Sequence, residues 1–251
     1  MKILISGCSF TQWPDSPGGP NICWPRYFQE YNPEHLCRSV AEAAAGNQYI
    51  CDSVIRTVLE DRPDHVLVMW SGVSRLDYLT NVEDPVWNKL FDSYGFYRRL
   101  PDNKLGYIFS GGGVGTWNNH PVAKQMFKEM YKVSSELSLG TINLMEMVKL
   151  QNFLIAKKIP YNFMSYVNYW TDQERVSQNG DFGVFRYPEL KFLIEELDFS
   201  RWIFSNEKQD GVFELAKELD SWQDDGFHPG AKAQSQWARL ITDRLLAESA
   251  E

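Results

Sequence analysis

Apolar runs separated by amphipathic stretches set the rhythm of this chain. "ILIS" (3–6) is a short apolar run that predicts a buried strand, and "WPRYFQEY" (24–31) has proline at an early helical position with apolar residues at helical spacing, which predicts a short helix. "HLCRSVA" (35–41) alternates like a second strand. From Gln48 to about Glu60, the side chains of Tyr49, Ile50, Val54, Ile55 and Val58 form one apolar stripe, the mark of an amphipathic helix. "DHVLVMWSG" (64–72) is continuously apolar, as expected of a parallel strand covered on both faces. This β-α-β alternation predicts a three-layer α/β sandwich whose doubly wound, mostly parallel sheet is joined by right-handed crossovers.

The pattern loosens in two places. Residues 79–120 hold Pro85, Pro101, many aromatics and "SGGGVG" (110–115) without a clear period, so they are expected to form an irregular excursion over the sheet, a candidate lid. A long helical pattern then runs from Val122 to Lys158 with an interruption near "SLGT" (138–141), ended by Pro160, and "YNFMSYVN" (161–168) reads as a fourth strand. Residues 171–207 form a second irregular insertion containing "NGDFG" (179–183), a helix around "YPELKFLIEEL" (187–197) and the tryptophan of "FSRWIF" (199–204). After it come a helical stretch, "GVFELAKELDSW" (211–222), a loop, "QDDGFHPG" (223–230), and a closing amphipathic helix from residue 231 to residue 249. One domain spanning 1–251, with insertions at about 79–120 and 171–207, accounts for this order.

Composition narrows the function classes. The formal charge is −8 over 251 residues, which supplies no clustered Lys and Arg for nucleic acid or an anionic lipid surface. No apolar run approaches a membrane span, and the start is too brief for a signal peptide's apolar core, so the expectation is a soluble, cytoplasmic protein. Cys8, Cys23, Cys37 and Cys51 are spaced about fourteen apart and lack a C-x-x-C knuckle, so neither a metal nor disulfides are expected. "SGGGVG" lacks the lysine of a phosphate-binding loop and reads as a turn. His35 and His65 precede strand-like runs and read as surface residues.

Ligands of open α/β sheets bind beyond the carboxyl ends of the strands. Here those ends carry Gly7-Cys8-Ser9, Gly46-Asn47 and Ser71-Gly72-Val73-Ser74-Arg75, with Asp225-Gly226-Phe227-His228 preceding the last helix. A serine hydroxyl needs a neighbouring base, and that base needs an acceptor to hold its tautomer. Asp225 and His228 lie three apart in a glycine- and proline-bearing loop, so one turn can place both on the same side. Each residue also suits a plainer role: Ser9 or Asn47 as a helix cap, Asp225 as a loop charge beside Asp224, and Arg75 in an ion pair.

"GCSFT" (7–11), "AAAGNQYI" (43–50) and "DDGFHPG" (224–230) occur in this order, with "ICWP" (22–25) after the first, and together the chain resembles the SGNH (GDSL-like) hydrolase superfamily. The resemblance implies a flavodoxin-like SGNH fold with Ser9 as nucleophile, His228 as general base and Asp225 as its orienting partner. It further implies the backbone amides of Ser9 and Gly46 as oxyanion donors. The implied activity is acyl transfer from a small acyl ester or acylated carbohydrate through an acyl-enzyme, with no cofactor and no metal. One block departs from the pattern. Where the family has Gly-x-Asn-Asp, this chain has Gly72-Val73-Ser74-Arg75, which removes the Asn oxyanion donor. Ser74 or Asn47 is then the candidate replacement donor, and Arg75 a candidate for binding an anionic substrate. A catalytically weak binding protein on the same fold is the alternative reading.

Overall fold

The structure, a computed structural model, describes residues 1–12, 23–88, 97–100, 104–111, 120–177 and 180–249. Its main sheet is four-stranded and wholly parallel in the order β2-β1-β3-β7, formed by β1 (Lys2–Ser6), β2 (Leu36–Ser39), β3 (His65–Trp70) and β7 (Tyr161–Ser165). All six residues of β3 and all five of β7 are buried, as expected of central parallel strands, whereas the edge strand β2 is half exposed.

Right-handed crossovers fix where the helices go. The chain steps one way from β1 to β2 through α1 (Trp24–Tyr31) and the opposite way from β2 to β3 through α2 (Asn47–Glu60), so these helices cover opposite faces. Two later helices complete the layers. The helix α4 (Glu136–Lys157), which connects β3 to β7 in company with α3 (Pro121–Val133), packs on α2, and the final helix α7 (Ala231–Ser249) packs on α1. Tyr31 Oη and Ser235 Oγ at 2.6 Å, and Asn32 Nδ2 donating to Thr242 Oγ1 at 2.9 Å, tie that last pair together. Because the connections leave β1 and β3 in opposite directions, the crevice at their carboxyl ends is the switch point where such sheets bind ligands. Ser9 lies three residues beyond β1 at this crevice.

The middle of the chain differs from its sequence reading. Within 79–120 the described residues make an antiparallel sheet in the order β4-β6-β5, from β4 (Asp77–Asn81), β5 (Tyr97–Arg99) and β6 (Leu105–Phe109). Its strands are only three to five residues long and carry charged residues, so no alternation rises above the background. Gly112 to Gly115 of "SGGGVG" lie outside the described residues. The helical run 122–158 breaks at Ser134-Ser135, not at "SLGT": the Ser135 hydroxyl caps α4 by accepting from the Ser138 amide, while Gly140 is an ordinary buried helical position. Around "YPELKFLIEEL" there is no continuous helix but two 3₁₀ turns (Val184–Arg186 and Pro188–Leu190) and a single helical turn, α5 (Lys191–Ile194). Beyond it, Trp202 bridges to Phe163 and the Ile203 amide donates to Phe163 O, which covers the exposed edge of β7. His65, read as a surface residue, is buried, with its Nε2 2.8 Å from Asn162 Oδ1. The helix α6 (Val212–Glu218) leads into the loop before α7.

Candidate active site

The turn after β1 turns one side chain outward. The Thr11 amide donates to Cys8 O at 2.8 Å, closing a turn over Ser9 and Phe10; Cys8 and Phe10 are fully buried and Ser9 is partly exposed. Cys8 is therefore core, and Ser9 is the group presented to the crevice.

The opposite end of the chain brings the imidazole. Between α6 and α7 the loop folds back on itself through Gln223 N–H to His228 O at 2.8 Å and the bridge of Trp222 with Pro229. At its tip Gly226 has φ +67, a left-handed conformation that glycine adopts without steric cost. This turn directs Asp225 back at His228. One carboxylate oxygen accepts from the amides of Phe227 and His228, both at 2.8 Å, and the other lies 2.5 Å from His228 Nδ1. Burial tends to raise the Asp225 carboxyl, but these hydrogen bonds outweigh it and hold the group below its ordinary range. Since an ionised carboxylate only accepts, Nδ1 carries the proton and Nε2 is left as an acceptor. Nε2 lies 2.9 Å from Ser9 Oγ, across 219 residues of sequence. Phe10 and Phe227 flank the ring at centroid distances of 5.0 and 5.1 Å and fix its plane.

The residues expected to stabilise an oxyanion are placed differently. The Gly46 amide donates to Asp77 Oδ1 at 2.8 Å, and Tyr49 N–H donates to Asp77 Oδ2 at 2.9 Å, so the Asp77 carboxylate caps α2 from another element and takes the amide expected to face the substrate. Asn47 is buried and forms a two-bond ring with the backbone of Ser71, Oδ1 accepting from its amide at 2.8 Å and Nδ2 donating to its carbonyl at 3.2 Å. Ser74 is also buried, its amide and hydroxyl both donating to Asp181 Oδ1, at 3.1 and 2.7 Å. Arg75 is not a surface clamp: it is 4% exposed, with Nη1 donating to Ala45 O at 3.1 Å and the charges of Asp77 and Asp181 nearby.

Asp181 is the residue that sequence reasoning missed. Fully buried, it accepts from Ser74, from the Tyr166 hydroxyl and from Ser177 Oγ at 2.7 Å. It fits because position 72 has no side chain: a Cβ there would sit 2.1 Å from Asp181 Oδ1. Tyr166 in turn packs on Phe10 at 4.6 Å, so this network buttresses the turn that carries Ser9. The glycines flanking Asp181 in "NGDFG" are the only local hint of a carboxylate brought close to backbone. Asp77, inside "SRLDYL", carries none. Among the described residues no cluster of His, Cys, Asp and Glu could hold a metal ion, and no helix is long and apolar enough to cross a membrane.

No protein-family model and no curated protein matches the sequence. Solved structures do. The chain is similar to the acetyl xylan esterase AlAXEase, at 11% identity and TM-score 0.50 over 97% of this chain and 99% of that one. It also matches the psychrotrophic esterase EstA from Pseudoalteromonas sp., at 12% identity and TM-score 0.49 over 100% and 99% of the two chains. A lipolytic protein of the G-D-S-L family from Desulfitobacterium hafniense aligns at 12% identity and TM-score 0.45 over 96% and 98%. The fold is the flavodoxin-like α/β sandwich that the resemblance to the SGNH hydrolases implied. At these identities the likeness is one of fold, and function has to be argued from the site.

Proposed function

We infer that the protein is an esterase-type serine hydrolase with Ser9 as nucleophile, His228 as general base and Asp225 as the residue that orients it, acting on a small acyl ester or acylated carbohydrate. The observation that carries this reading is the continuous chain Ser9 Oγ, His228 Nε2, His228 Nδ1, Asp225 Oδ2, in which a 2.9 Å contact joins the two ends of the sequence and a local 2.5 Å contact lies behind it. As Ser9 Oγ attacks the carbonyl carbon, its proton passes to Nε2, and Asp225 stabilises the resulting imidazolium. Collapse of the tetrahedral species returns that proton to the leaving alcohol. Water, deprotonated by the same nitrogen, then releases the acid from the acylated serine. In the resembled family the Ser9 amide faces the developing negative charge.

A second reading, a weakly catalytic or silent binding protein, is supported by the engagement of the Gly46 amide with Asp77 and of the Ser74 hydroxyl with Asp181. Loss of a single oxyanion donor lowers turnover on the order of 10²–10³-fold. A fluorophosphonate probe separates the two readings. The hydrolase reading expects covalent labelling that disappears in Ser9→Ala and p-nitrophenyl acetate hydrolysis that falls in both Ser9→Ala and His228→Ala. Well-folded protein that takes up no label, with hydrolysis at the same background rate in all three forms, leaves the binding protein.

A further inference from the structure

The loop that carries Asp225 and His228 is closed on itself by hydrogen bonds. Gln223 N–H reaches His228 O, the Gly226 amide reaches Gln223 O at 2.9 Å, and Gln223 Nε2 donates to Pro229 O at 3.1 Å. Among the described residues, the Asp225 carboxylate bonds only within this loop, and the one side-chain bond that leaves it from His228 is the contact with Ser9. These bonds shape the loop. They do not aim it.

The tip of the loop meets the body of the protein through rings. Phe227, between the two polar residues, lies edge-on to Phe10 at 5.5 Å and to His228 at 5.1 Å. Phe10 comes from the turn after β1 and is fully buried. On the other side stands Phe213, in the first turn of α6. Its ring meets the base of the loop at Trp222, 5.2 Å away and inclined by 64°, and the tip at Phe227, 6.1 Å away, so one side chain spans the loop from base to tip. Phe213 is fixed from behind. Its amide donates to Tyr166 O at 2.8 Å, just past the end of β7, and Glu214 Oε2 beside it accepts from the amides of Gly211 and Asn168 at 2.9 and 3.1 Å, which fastens the start of α6 to the chain leaving β7. The Phe213 and Phe227 rings are only half-buried, at the margin of the core. A ring anchored this firmly at the rim is placed to support the loop.

We propose that Phe213 is a positioning residue for the reaction: through Phe227 it keeps the His228 imidazole aimed at Ser9 from the β7 side, while Phe10 holds it from the β1 side. The proposal rests on the hydrolase reading above for its effect on turnover, but not for its effect on the imidazole. Proton transfer depends on the alignment of Oγ with Nε2, so a small displacement of the base is costly to rate. Aromatic pairs are directional, and a shorter apolar side chain does not reproduce them.

The test follows p-nitrophenyl acetate hydrolysis in the wild type, Phe213→Ala and Phe213→Tyr, with Phe213→Leu taking the place of Phe213→Ala if that variant does not fold. Phe213→Ala is expected to lose about tenfold in kcat with KM unchanged, and Phe213→Tyr, which restores the ring, to recover most of that loss. An unchanged kcat overturns the proposal. So does a loss confined to KM, which would make Phe213 a wall of the substrate site, or a loss that Phe213→Tyr does not recover. If the wild type does not hydrolyse the ester, the hydrolase reading fails and proton NMR decides the positioning alone. The low-field signal of His228 Nδ1–H against Asp225, absent from His228→Ala, is expected in the wild type and in Phe213→Tyr and is broadened or lost in Phe213→Ala. The same signal in all three, or none in the wild type, overturns the proposal.

Discussion

Two stretches of one rim are built on opposite principles. Around Ser9 the working groups are partly open to solvent, with the Asp225 side chain 47% and that of His228 22% exposed, and they are held by a short loop and a few directional hydrogen bonds. Around Ser74 the polar groups are largely buried and lock one another: Asp181, Tyr166 and the half-buried Ser177 on one side, Asp77 and the first turn of α2 on the other. The first stretch keeps a lone pair and a hydroxyl facing outward, where a substrate can reach them. The second turns its donors inward onto carboxylates, which makes it a brace. Under the proposed hydrolase reading, reaction chemistry and fold stability are divided between two ends of adjacent strands, and substitutions should separate them.

The largest contrast is in rate. Asp225→Asn keeps the shape of the loop but no longer fixes the tautomer, so turnover of p-nitrophenyl acetate should drop on the order of 10³-fold while the urea midpoint stays put. The reverse pattern is expected of Asp181→Ala, which strands the buried hydroxyls of Ser74 and Tyr166; it should cost about 3 kcal/mol in urea unfolding. If Asp181→Ala unfolds no more easily than the wild type, the brace is not one.

A smaller effect distinguishes the buried stretch by pH. Burial pushes the Asp77 carboxyl up to about 6, above its ordinary 3.8. Between those values the folded chain holds a proton that the unfolded chain has released, so this group's contribution to stability is greatest below about pH 4 and declines as pH rises to about 6, by something on the order of 2 kcal/mol. Asp77→Asn should flatten the corresponding slope of unfolding free energy against pH, and an identical slope in both proteins would contradict the assignment. The slightest change is expected at Gly226, where a Cβ would meet nothing within 4 Å. Gly226→Ala should cost only the left-handed backbone strain, about 1 kcal/mol, and any fall in rate beyond a fewfold would mean that the turn cannot hold Asp225 on His228 without a glycine at its tip.

The part of this arrangement legible in the sequence is the part written in local pattern. Apolar runs located β1 and β3, the segment after Pro160 was read as the strand that is β7, the stripe from Tyr49 to Val58 located α2, and the three-residue spacing of Asp225 and His228 in a Gly-Pro loop brought out a pair that lies 2.5 Å apart. The antiparallel sheet β4-β6-β5 was not legible, because three- to five-residue strands give too few alternations to count. Nor was the fate of Gly46, Asn47, Ser74 and Arg75. Their types suit an oxyanion site, but their partners, Asp77, Ser71, Asp181 and Ala45, are set by tertiary neighbours as far as 107 residues away. Residue type tells what a group can donate. Only packing tells to whom.

The docking of α7 against α1 has a temporal meaning. Synthesis delivers His228 219 positions after Ser9, with the helix that anchors it later still. Until α7 packs on α1, the Ser9 hydroxyl has no imidazole beside it, so under the proposed hydrolase reading the pair comes together only at the last step of folding.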